Sequence, residues 1–189
     1  MDDQMPRLRA DAQDNRDRLL EAAHALFAEH GLDVTMRQIA RRAGVGPATL
    51  YRRFPTRQDL IEAAFANELQ ACSSIVEDGC GDPDPWLGLC SIIERLSVLN
   101  ARNHGFVQAF HAENATIGAR EHRACLLRMV TRLAERAKLA GALRQDFTAD
   151  DFVLVLLAGR GLTTLPPPQR EAAARRFAAL SIDGLRARA

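Results

Sequence analysis

The chain has 189 residues, 25 of them basic and 24 acidic, for a net charge of +1. Hydrophobic residues make up 47% and charged residues 26%, enough for a packed core, which argues against disorder as the main state. Aromatics are only 5% while alanine, the best helix former, occurs 32 times, a composition that argues against an all-β sandwich or barrel.

Residues 1–14 are polar and charged and read as a flexible tail. From Asn15 a helical pattern starts, with Leu19, Ala23, Leu26 and Phe27 on one face and Gly31 as its stop. Thr35 and Gln38 have the spacing of a capping box. The helix they open turns Met36, Ile39, Ala40 and Ala43 inward and ends at Gly44. Gly46-Pro47 starts the next, with proline in the first turn, and Pro55 ends it. Thr56 and Asp59 cap a further helix that runs from Arg57 to about Cys72. Residues 78–85 are the clearest break in the chain. Helical patterns then resume over about 86–102, 105–114, 118–140, 149–163 and 168–187. The expected fold is all-α, with about nine helices in two parts: residues 15–60, and residues 61–189.

The four cysteines, Cys72, Cys80, Cys90 and Cys125, form no CxxC pair and read as reduced, buried small residues. His104, His111 and His122, with Glu113 and Glu121, do not share one helix face, so no metal site is expected. No nucleophile–base motif, phosphate loop or HExxH occurs, so no enzyme and no cofactor is expected. The start of the chain lacks the pattern of a secretory signal, and no 18-residue apolar run is present; a cytoplasmic protein without a membrane partner is expected.

Two short helices joined by a tight turn over about 35–54 describe a helix-turn-helix. Ala40 is small where the helices cross, Gly44 makes the turn, and Leu50 and Phe54 face inward at i and i+4. That leaves Thr49, Tyr51, Arg52 and Arg53 toward solvent or a partner, although a half-buried Tyr51 is the other reading of that residue. Charge points the same way. Only one of the 25 basic residues, Lys138, is a lysine, so abundance of Arg is not in itself a sign. Between Val34 and Arg57, however, six arginines (37, 41, 42, 52, 53 and 57) occur with no Asp or Glu, while the rest of the chain carries more acid than base. A helix-turn-helix that is itself the uniformly basic stretch reads as a DNA-binding surface. Arg41 and Arg42 read as general surface charge.

The run from Thr35 to Leu60, above all Ile39-Ala40, Ala43-Gly-Val45, Thr49-Leu-Tyr51, Phe54 and Arg57, resembles the N-terminal domain of the tetracycline-repressor (TetR) family. The resemblance covers about residues 16–62. It implies a homodimeric regulator whose helical C-terminal domain dimerises and binds a small molecule. It places Thr35, Tyr51 and Arg57 at phosphate-contacting positions, and Arg37 at a position that reaches base edges. Pro47, Ala48 and Thr49 correspond to the leading end of the recognition helix, with Arg52 and Arg53 following. Gly46 stands where the family often has a Ser or Thr cap.

For the remainder, a mainly apolar effector pocket is expected among the helices at about 86–102, 105–114 and 118–140. Its candidate lining is Trp86, Leu89, Cys90, Ile93, Phe106, Phe110 and Met129, with His111 and Asn114 for a polar end. The last two helices should form the dimer interface through Phe152, Val155, Leu156, Phe177 and Leu180. The expected function is a transcriptional repressor released from an approximately palindromic DNA operator by a largely apolar effector. The alternative is a helical dimeric ligand-binding or adaptor protein without effector-controlled DNA binding.

Overall fold

The computed structural model describes residues 4–111 and 117–187. Among them are ten α-helices and no strand, arranged in two units, residues 1–67 and 68–189.

The first unit contains α1 (Gln4–His30), α2 (Met36–Ala43), α3 (Pro47–Arg53) and α4 (Arg57–Ala64). α1 starts well before Asn15, so most of the stretch read as a tail is helical backbone. Leu19, Ala23 and Phe27 on α1 are fully buried, and α2 adds Met36, Ile39, Ala40 and Ala43 to the same core. The α2 box is complete: the Thr35 hydroxyl accepts from Gln38 N, and the Gln38 side chain accepts from Thr35 N at 2.8 Å. Gly44 closes α2 with φ +68, in the left-handed region that a glycine occupies without strain. The guanidinium of Arg18 sits over this turn and donates to Ala43 O at 2.7 Å, so an α1 side chain ties down the end of α2.

The helix expected from Arg57 to Cys72 is two helices. α4 ends at Ala64, Phe65 leaves helical geometry, and α5 (Ala66–Cys80) follows. The Phe65 ring is buried and packs on Phe27 with centroids 5.6 Å apart.

The second unit holds α5, α6 (Pro85–Arg102), α7 (His104–His111), α8 (Ile117–Leu139), α9 (Ala149–Ala158) and α10 (Pro167–Leu185). α6 is its axis and packs against α7, α8, α9 and α10. Asp84 caps it, accepting from Trp86 N and Leu87 N at 2.8 and 3.1 Å. The end of α5 and the start of α6 approach through two glycines. A Cβ on Gly88 would stand 2.2 Å from Gly79 O, and one on Gly79 would stand 2.4 Å from Ile92. Arg136 on α8 holds the intervening loop through Cys80 O and Asp82 O. The chain end is anchored by Ala187 N to Ala142 O and by Arg144 N to Leu185 O, each 3.0 Å. α9 stops five residues before the expected end; Gly159–Thr164 is a tighter 3-10 turn. No described helix is long and apolar enough to cross a membrane.

Candidate nucleic-acid interface and ligand cavity

α3 presents Pro47, Ala48, Arg52 and Arg53 to solvent, with Thr49 half-buried. Tyr51 is 50% exposed, so half of the residue is open to solvent or a partner and half is covered. Leu50 and Phe54 hold the helix from beneath, as their spacing predicts. No side chain caps α3: Gly46 is the N-cap and Pro47 takes the first turn. Arg37, Arg41 and Arg42 are exposed on α2, and none of them, nor Arg52, makes an ion pair among the described residues. An exposed group of arginines without acidic partners can neutralise phosphates and release their counterions.

Two assigned residues are differently employed. The Thr35 hydroxyl is committed to the α2 cap, where it is hydrogen-bonded to Gln38. Arg57 is turned away from the basic face. Its two terminal nitrogens donate to the carbonyls of Leu32 and Val34, and its guanidinium lies 5.9 Å from the centre of the Phe27 ring. The reason is geometric: at the start of α4 it faces the carbonyls of Leu32 and Val34, and a planar fork with five donors suits two of them. In this DNA-free structure Arg57 therefore holds the segment that leads into α2, an arrangement other than the phosphate contact that the resemblance implies.

Sequence reasoning left out Asn15 and Arg16 of α1. With Leu19, Thr49, Arg52 and Arg53 they line a small cleft beside α3, and Arg16 lies 5.9 Å from the Phe54 ring centre. Arg16 is one turn before the buried Leu19, a spacing that could have placed it next to the motif.

In the second unit, α5 to α9 line a partly open cavity of about 330 Å³. α5 contributes Cys72 and Val76, α6 Leu96 and Asn100, and α7 Phe106, Val107 and Phe110. α8 adds Arg123, Leu126, Leu127 and Val130, and α9 adds Phe152, Val153 and Leu156. Of the expected lining, Phe106 and Phe110 are the ones present among the described residues. Leu89 and Ile93 are core residues, 0% and 1% exposed. Trp86 and Cys90 belong to the other end of α6, where Arg186 stacks 5.1 Å from the Trp86 ring centre. Met129 does not line the cavity, whereas its neighbour Val130 does. Asn114 lies outside the described residues, as does the side chain of His111.

Phe152 and Leu156, expected at a dimer interface, are buried against this cavity within their own subunit. On the same two C-terminal helices Leu154 and Leu180 are 64% and 54% exposed, and Val155 and Phe177 are half-buried.

All four cysteines are free. Burial, with a smaller push from Glu68, raises the Cys72 thiol to about 12, and burial raises Cys90 to about 11. Cys125 is exposed, contrary to its expected burial: it points off α8 away from the buried Leu126 and Val130. His122 contacts the Ser73 hydroxyl at 3.1 Å, joining α8 to α5.

A helix-turn-helix with an exposed arginine face in a stretch without Asp or Glu, followed by a helical unit around a mainly apolar cavity, defines a helical DNA-binding regulator. Residues 19–64 match the family model of bacterial regulatory proteins of the tetR family. Residues 84–187 match that of the C-terminal domain of SbtR-like transcriptional regulators. A TetR transcriptional regulator from Streptomyces coelicolor is 34% identical, with 92% of this chain and 99% of that one aligned and a TM-score of 0.56. A TetR regulatory protein from Mycobacterium vanbaalenii is 30% identical over 95% of this chain and 99% of that one, with a TM-score of 0.55. An HTH-type transcriptional regulator of Staphylococcus aureus is 46% identical over 63 residues, 33% of this chain and 34% of that protein. The chain thus spans about a third of the length of the curated relatives it matches. The chain belongs to the TetR family of transcriptional regulators.

Proposed function

We propose that the protein is a cytoplasmic transcriptional repressor that binds an approximately palindromic operator as a homodimer and is released by a small, largely apolar effector. The observation that carries this reading is the pairing of an exposed arginine face on α2 and α3, in a stretch without Asp or Glu, with a mainly apolar cavity in a separate unit. Two-fold symmetry would set the two α3 helices about 34–36 Å apart, in successive major grooves. The exposed Leu154 and Leu180, with the half-buried Val155 and Phe177, are the surface of α9 and α10 proposed for the second subunit, as a four-helix bundle of two helices from each. α5 contributes Cys72 and Val76 to the cavity and follows α4 after one residue, so it is the element through which a ligand would act on DNA affinity. A ligand that favours a dimer spacing unsuited to the operator should weaken binding about 5- to 150-fold.

The test is selection of bound genomic fragments, followed by titration of the enriched site at several salt concentrations. Log affinity should fall steeply with log salt. Arg37→Ala should cost about 1–3 kcal/mol at one base position per half-site. An equal loss on every sequence would move Arg37 to phosphate. Failure to enrich any fragment would favour the adaptor reading.

A further inference from the structure

Among the described residues the cavity wall carries one cation. Arg123 on α8 is half-buried among Phe110, Leu126 and Leu127. Its Nη1 donates to Phe110 O at 2.9 Å, and it has no carboxylate partner among the described residues. A guanidinium offers five donors, so most of its hydrogen-bonding capacity is unspent. A positive charge beside apolar walls is costly unless an anion faces it. Asn100 on α6 lines the same cavity, and its amide has no hydrogen-bond partner among the described residues. Cys72, also in the wall, stays a neutral thiol because burial raises it to about 12, so it supplies no counter-charge. The rest of the lining is apolar.

Size narrows the ligand further. A dry cavity of about 150 Å³ holds a benzene ring. By that ratio the cavity of about 330 Å³ takes roughly a dozen non-hydrogen atoms.

We propose that this cavity binds an amphipathic carboxylate: an apolar body within α5–α9 and a carboxylate held by the fork of Arg123, with Asn100 as the second donor. The proposal rests on the reading of the cavity as the effector site and names the ligand class. A fork-to-carboxylate pair is the geometry that a guanidinium serves best.

The experiment titrates the full-length protein by calorimetry with decanoate and 4-phenylbutanoate, each against the matching alcohol and amine. At least one acid should bind, roughly 10- to 100-fold tighter than its alcohol, with the amine weakest. Arg123→Gln should erase the preference for acid over alcohol and leave alcohol binding within about threefold, the level expected when only a charged hydrogen bond is removed. The comparison of acid with alcohol on the unaltered protein needs no variant, so a misfolded R123Q would not protect the idea. Residues 112–116 lie outside the described residues and include one carboxylate, Glu113; E113Q is the control and should leave acid binding unchanged. The proposal is overturned by alcohol binding as tight as acid, by a preference that survives R123Q, by acid binding seen only in E113Q, or by no binding of either acid. Operator affinity measured alongside separates the two ideas. Arg123-dependent acid binding with unchanged DNA affinity keeps the ligand class and removes the effector reading. DNA release by acid and alcohol alike does the reverse.

Discussion

Replacing Arg57 with alanine removes two charge-assisted hydrogen bonds, to the carbonyls of Leu32 and Val34, and the packing against the Phe27 ring. Hydrogen bonds to a charged group are worth about 1.5–3 kcal/mol each, but two on one guanidinium do not add fully. The site is only part-buried, so water recovers some of the loss. We expect a net cost of about 2–4 kcal/mol to the first unit, with a fall in melting temperature on the order of 10 °C. DNA affinity should drop on all sequences through the smaller folded fraction, while the slope of log affinity against log salt stays the same. Arg52→Ala should behave oppositely, leaving stability nearly intact and reducing the slope by about 0.9 for each phosphate that is no longer neutralised. Arg57→Lys should recover only part of the stability, because an ammonium cannot fork to two carbonyls. Calorimetric melting and salt titrations of the three variants decide the matter. An unchanged melting temperature with a slope reduced by about 1 would refute the clamp and return Arg57 to the phosphates.

Gly88→Ala should destabilise the second unit by about 3 kcal/mol or more, because its methyl group would meet the Gly79 carbonyl, and backbone cannot rotate away; urea unfolding with a loss under about 0.5 kcal/mol would contradict the close approach. Leu180→Glu should give a folded monomer by sedimentation and circular dichroism, since the side chain is exposed within one subunit, whereas Phe152→Glu should unfold the second unit. At pH 8 a thiol reagent should label Cys125 first, and Cys72, raised to about 12, should stay unreacted until the unit unfolds. The sign for stability follows: unfolding frees an ordinary thiol, so the Cys72 contribution is complete below its unfolded value and declines as pH climbs toward 12.

What could be read in the sequence was local. The capping boxes at Thr35 and Thr56 form as their spacing predicts, because each closes within three residues. The Gly44 turn and the inward Leu50 and Phe54 follow from a 3.6-residue repeat over one short segment. What escaped depends on residues far apart in the chain. Trp86 looks like pocket lining on size alone, yet its ring is covered by Arg186, a hundred residues later. Arg57 looks like part of the basic face until the carbonyls of Leu32 and Val34 are brought to it. The run Phe152–Ala158 reads as apolar on every side, and only the packing decides that Phe152 and Leu156 face the cavity while Leu154 faces out. The break at Phe65 has no glycine or proline to announce it.

Every cation on the proposed DNA face is a guanidinium, and the chain's single lysine, Lys138, sits on α8 paired with Glu135. Guanidinium groups stay protonated at any pH a cell reaches, and lysine acylation has no substrate on this face. Neither acidity nor that covalent chemistry can therefore dim its positive field. Control over such a regulator falls to where the two faces are held, not to how strongly either one is charged.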